Sequence, residues 1–203
     1  MCGRYDLSNL NGIAERYRVD LDGIELRPNH NVKPSQIAPV IVYDQDARRN
    51  KLVLMRWGIK PHWAKDTLIN AVAETAATTK FWGPLVRKHQ LCLVAANAFY
   101  EWDDNTHKPF AFSVKDTPLI SLGGLYGVEK GEDGQEVSWY VIMTTKANKT
   151  VGRVHRKKNR MAFILDQQTE GLYLTEPDTE GLLATLATPY PDELMEAQEV
   201  DRL

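Results

Sequence analysis

The stretch LISLGGLYGVEKGEDGQEVSWYVIMTT, residues 119–145, carries the fold class. Two apolar runs, LISLGGLY (119–126) and SWYVIMTT (138–145), flank the polar, glycine-bearing GVEKGEDGQEV (127–137). A polar connection of that kind predicts a hairpin, and a hairpin joins antiparallel strands. Working outward, VIVY (40–43), LVLMRW (52–57), LCLVA (91–95), FAFSV (110–114) and MAFIL (161–165) read as further short strands separated by turn signals. Three helices are expected. Leu10, Ile13, Ala14 and Tyr17 recur at helical spacing within 8–18, NAVAETAATTKF (70–81) starts near Asn70, and EGLLATLA (180–187) comes late. NHNVKPSQIAP is turn-rich, punctuated by Pro34 and Pro39. The expectation is one α+β domain over 1–203, a largely antiparallel β core flanked by short helices.

Bulk properties exclude several classes. The chain has 203 residues, 43% hydrophobic and 26% charged, ordinary for a globular domain. Two cysteines, Cys2 and Cys92, are too few for a disulfide framework and suit a reducing compartment. The N-terminus lacks an apolar signal core, and no apolar run reaches the ~18 residues of a membrane span. A soluble, cytoplasmic protein with no membrane partner is expected. Net charge is −2, but KANKTVGRVHRKKNR (146–160) contributes +7, leaving −9 for the rest. One concentrated basic segment on an acidic body fits either a local anion site or a solvated loop. The five histidines, His30, His62, His89, His107 and His155, are scattered, and no metal-ligand spacing occurs. Neither a metal nor an organic cofactor is expected.

The chain opens MCGRY. Removal of Met1 would leave Cys2 carrying an α-amine and a thiol on adjacent carbons. An α-amine titrates at about 7.7–8.0, against about 10.4 for lysine, so at neutral pH it has far more free base. It can condense with an aldehyde to a Schiff base, and the thiol can then close a five-membered thiazolidine. The thiol can instead attack an amide, with the α-amine as base. Helpers are available. Glu101 sits between aromatics in AFYEWDD (98–104), where apolar neighbours raise a carboxyl pKa. His155 lies among cations, which favour its neutral form. Asn70 offers a donor and an acceptor. By spacing alone each reads first as an ordinary strand-end glutamate, loop histidine or helix cap.

MCGRY, HNVKPSQ (30–36), MRWGIKPHWAKD (55–66), INAVAETAATTKF (69–81), LVAANAFYEW (93–102), MTTKAN (143–148) and VHRKKNRM (154–161) occur in that order. Together they resemble the SOS-response-associated peptidase (SRAP) family, which includes abasic-site shielding proteins. The resemblance implies a barrel-like, largely antiparallel core with a groove for single-stranded DNA. It implies covalent capture of an abasic site by Cys2, with DNA lyase activity. It makes Asn70 the holder of the opened deoxyribose, Glu101 a proton shuttle, and His155 the group acting at the sugar hydroxyl and in reversal or scission. Arg4 would contact phosphate, Pro34 and Trp63 would form a wedge where a duplex ends, and Thr144 would line the site. The implied partners are abasic single strands and single-strand–duplex junctions, bound by a monomer in the cytoplasm and at the nucleoid.

Three departures stand out. The family's Asn-Ala-Arg is Asn70-Ala71-Val72 here, its His-Asp-Arg-Met-Pro is the longer HRKKNRMA (155–162), and the glycine before Phe-Tyr-Glu-Trp is Ala98. Arg156, Lys157 and Lys158 are expected to replace the phosphate contact missing at Val72, with Arg153 and Arg160 completing the basic DNA-binding segment. Two alternatives stay open: an N-terminal cysteine hydrolase, either a peptidase or a glutaminase-like amidase, and a DNA-binding module in which Cys2 does no chemistry.

Overall fold

The computed structural model describes residues 2–131, 134–201 and 203. Whether Met1 is removed concerns a residue outside that set. In chain order the elements are β1 (Arg4–Leu7), α1 (Ile13–Tyr17), β2 (Asn29–Val32), β3 (Ile37–Asp44), β4 (Arg49–Trp57), β5 (Asn70–Val72), α2 (Gly83–Arg87), β6 (Leu91–Ala96) and β7 (Ala98–Trp102). There follow β8 (Pro109–Val114), β9 (Ile120–Lys130), β10 (Glu136–Lys146), α3 (Lys149–Val154), β11 (Arg160–Ala162), β12 (Ile164–Leu165), α4 (Gln167–Thr175), α5 (Thr179–Leu186) and β13 (Met195–Glu199).

The expected hairpin is present and longer than the apolar runs suggested. β9 and β10 stay paired to Lys130↔Glu136, so most of GVEKGEDGQEV is strand; residues 132 and 133 within it lie outside the described set. Small residues let the strands meet. A Cβ at Gly124 would sit 2.6 Å from the Val141 carbonyl oxygen, and one at Gly127 would sit 2.5 Å from the Trp139 ring. β10 then runs on as a continuously buried strand, Trp139 to Thr145, which explains its unbroken apolar run.

β10, β4, β3, β6 and β9 pair in that order, and β9 pairs back to β10, so these strands close on themselves like a barrel. β5 and β11 add to β10, and β12 adds to β9. A second, five-stranded sheet has the order β13-β8-β7-β1-β2. Pairing is antiparallel except where β4 and β5 meet β10. The α+β class, the antiparallel core and the short helices therefore stand as expected.

Several local expectations are corrected. Residues 70–72 form a strand, not a helix start, and only a 3-10 turn, Ala73–Thr78, follows. Pairing with β10 satisfies the backbone of Asn70–Val72, and that outweighs the alanine-rich helix propensity. Within 8–18 only Ile13–Tyr17 is helical, because Gly12 at φ 79° and Arg18 at φ 52° bound it. MAFIL splits at Phe163, whose amide donates to Met143 and whose carbonyl accepts from Gly123, so the chain steps from β10 to β9. Part of the basic segment is helical, as α3, capped by the Asn148 side chain on Val151 N–H.

Candidate active site

The two sheets meet where the chain begins. β1 runs antiparallel to β7 with Arg4 opposite Tyr100, so the chain leading back to Cys2 runs toward the Glu101–Trp102 end. From the barrel side, β5 aligns Asn70 with Ile142 of β10. Asn70 Nδ2 donates to the Cys2 carbonyl at 3.0 Å and to the Ile142 carbonyl at 3.2 Å, tying the N-terminal segment to the barrel. Tyr5 and Tyr140 hydroxyls add a second tie at 2.9 Å, both fully buried. Asn70 is therefore a cross-sheet brace rather than a helix cap. Its Oδ1 is buried and has no hydrogen-bond partner among the described residues. Such an orphaned acceptor fits a donor supplied by a ligand.

Cys2 is fully buried, with its thiol 3.8 Å from the Arg4 carbonyl. Burial, and secondarily the Glu101 carboxylate, push the thiol pKa well up. Glu101 is also buried, and desolvation raises its carboxyl to about 7. The aromatic neighbours in the sequence signalled that direction. His155 follows α3, and its Nδ1 lies 3.5 Å from Glu101 Oε2 and 3.3 Å from the Arg160 carbonyl oxygen. A carbonyl only accepts, so Nδ1 is the protonated nitrogen in the neutral ring and Nε2 is its basic site. The His155 pKa is lowered, as expected, but burial is the main cause; Lys158 is a lesser one.

Asn70 thus touches Cys2, His155 touches Glu101, and the Glu101 charge acts on the Cys2 thiol, which brings the four to one seam between the sheets. Thr144 joins them from β10, buried, with Oγ1 3.4 Å from the Ala71 carbonyl. Arg4 reaches Asn31 Oδ1 at 3.0 Å. Pro34 lies in the turn before β3, where Ser35 N–H and Gln36 C=O bond to Trp57 at the end of β4. The loop bearing Trp63 leaves from that same strand end. Trp63 is 57% exposed, stands edge-on to Phe81 at 5.3 Å, and with Phe81, Trp82, Thr79 and Lys80 lines an open apolar hollow of about 700 Å³. Phe81 and Trp82 were not among the sequence candidates; the adjacent aromatic pair after the alanine-rich run was their only signal.

The basic segment divides. Arg153, Arg156, Lys157 and Lys158 are exposed. Arg160 is not one of that exposed group: its guanidinium makes a bidentate ion pair with Glu74, at 2.9 and 2.7 Å, and bonds to Thr144. Val72 is 37% exposed and stands opposite Thr144 on β10. Among the described residues no group of three or more His, Cys, Asp or Glu could hold a metal, and no helix is long and apolar enough to cross a membrane.

This two-sheet architecture, with Cys2 at the seam, belongs to a defined family. The family model described as SOS response associated peptidase (SRAP) matches residues 1–203, and the chain is a member of that family. It is 36% identical over 216 residues to the abasic site processing protein YoqW of Bacillus subtilis, covering all of this chain and 93% of that one. It is 25% identical over 181 residues to the abasic site processing protein HMCES of Xenopus tropicalis, covering 72% of this chain and 53% of the other. Among solved structures, a Bacteroides thetaiotaomicron protein superposes with a TM-score of 0.85 at 23% identity, covering 98% of this chain and 92% of that chain, which shows a common fold.

Proposed function

We propose that this protein processes abasic sites by covalent capture: Cys2, once freed of Met1, condenses with the ring-opened sugar of an abasic site in single-stranded DNA. The α-amine adds to the C1′ aldehyde, water leaves, and a Schiff base forms. The thiol sulfur then bonds to C1′ while its proton passes to the nitrogen, closing the thiazolidine. Addition of the thiol before the Schiff base exists is disfavoured, because burial holds it protonated.

The other residues take roles that suit their surroundings. Glu101, raised to about 7, exchanges protons near neutral pH, protonating the departing hydroxyl and accepting from the amine. Asn70 Oδ1 accepts from a sugar hydroxyl. His155 Nε2 removes a proton in strand scission and takes part in reversal. The exposed Arg153, Arg156, Lys157 and Lys158 hold phosphates, Arg4 contacts the backbone, and the Trp63 hollow stacks an unpaired base, so single strands and junctions bind better than intact duplex.

The observation that carries this proposal is the convergence of Cys2, Asn70, Glu101 and His155, a nucleophile with its acceptor and proton-transfer partners, at one seam between two sheets. The names of the relatives, abasic site processing proteins, support it. The test is incubation with an abasic oligonucleotide followed by a denaturing gel. Wild type should give a heat-stable adduct, and Cys2→Ser at most a Schiff base that borohydride traps. An equally stable adduct from Cys2→Ser without reductant would overturn the mechanism. A pure binding module would give no adduct from either protein.

A further inference from the structure

Glu101 and His155 belong to segments with no backbone ladder between them. Glu101 is on β7 of the five-stranded sheet, whereas His155 ends α3 and opens the basic turn that returns through Asn159 to β11. Their 3.5 Å approach needs something to hold the two segments together. Asp104, three residues beyond Glu101, makes bonds on both sides of His155. Its N–H donates to the Val154 carbonyl at 3.2 Å, and its Oδ2 accepts from the Lys157 N–H at 2.6 Å. The base of this clamp is itself fixed. Asp103 Oδ1 accepts from the N–H groups of Asn105 and Thr106 at 3.0 and 2.8 Å, and Asp103 N–H donates to the Lys108 carbonyl at 2.9 Å. Asp104 therefore projects from a self-stabilised turn, not from a loose tip.

We infer that Asp104 is a positioning residue: its carboxylate grips the Lys157 amide and so sets His155 against Glu101 for scission and release of the adduct. This rests on the capture mechanism proposed above. Asp104 is half-buried, and the Lys157 N–H holds its pKa down, which keeps the acceptor ionised. Lys157 also acts on the carboxylate through its charge, but the direct partner is a backbone N–H, an acceptor role that asparagine can also fill. Charge and hydrogen bonding can therefore be separated.

The experiment compares Asp104→Ala and Asp104→Asn, each alone and combined with His155→Ala. The readouts are adduct formation, transfer of a preformed adduct to excess abasic competitor, and affinity for an intact single strand. Both single variants remove the same negative charge, so both should bind the intact strand as tightly as wild type or more tightly. Asp104→Ala should slow transfer by about 10- to 100-fold, the cost of about an ångström of misplacement. Asp104→Asn should recover most of that loss. In the His155→Ala background, Asp104→Ala should cost nothing further, because its effect passes through the imidazole. Equal slowing by Asn and Ala would make the charge responsible and overturn the inference. So would an undiminished effect of Asp104→Ala in the absence of His155, or wild-type transfer by Asp104→Ala. Failure of wild type to form any adduct would remove the capture mechanism itself, and this role with it.

Discussion

Replacing Glu101 by glutamine keeps the side-chain shape and removes its proton chemistry, and the structure makes two opposed predictions for it. Desolvation raises the Glu101 carboxyl from 4.5 to about 7 in the folded protein. The folded state therefore binds that proton more tightly than the unfolded state does. Its stabilising share is complete below pH 4.5 and is lost as pH rises through 7. Between pH 5 and pH 8 the wild type should thus lose roughly 2–3 kcal/mol relative to Glu101→Gln, which has no carboxyl to ionise. Chemistry should change the other way. General acid–base groups typically supply about 10²–10⁴-fold, so crosslinking by Glu101→Gln should slow by that order while affinity for an intact single strand holds. Urea unfolding of both proteins at pH 5, 6.5 and 8 reads the first quantity, and timed denaturing gels with an abasic oligonucleotide read the second. Parallel stability profiles for the two proteins would refute the raised carboxyl. Crosslinking at the wild-type rate would make Glu101 structural.

The basic turn should account for a measurable part of the salt dependence. Charge reversal at Arg156, Lys157 and Lys158 together should flatten the slope of log affinity for single strands by about 0.7 per lost phosphate contact. An unchanged slope would place the groove elsewhere. His155→Ala should bind single strands normally and form adduct more slowly, yet lose most strand scission and most transfer of a preformed adduct to competitor over hours. Wild-type transfer by that variant would mean another residue serves as the base.

The strand content was legible because it is local. Apolar runs such as VIVY, LCLVA and SWYVIMTT identify themselves, and the polar connection at 127–137 implied an antiparallel pair. β1, β2 and β13 are four or five residues long and carry polar or charged side chains within their runs, so no pattern marked them. Asn70–Val72 was misread for a related reason. Alanine-rich sequence favours a helix by itself, and only the presence of β10 alongside turns it into strand.

The site divides along the same line. Sequence alone determined which residue types are available and the direction expected for the Glu101 and His155 shifts, whereas burial, which the fold creates, is the largest cause of both. What those groups touch was decided by pairings between distant segments. The β1–β7 ladder carries Cys2 toward Glu101, the β5–β10 ladder carries Asn70 to the Cys2 carbonyl, and Asp104 ties the basic turn beside β7. Tertiary structure likewise separated Arg160, paired with Glu74, from the exposed cations with which its sequence groups it. These hydrogen bonds, ladders and ion pairs join residues 53 to 96 positions apart, and no local pattern encodes a register over that distance.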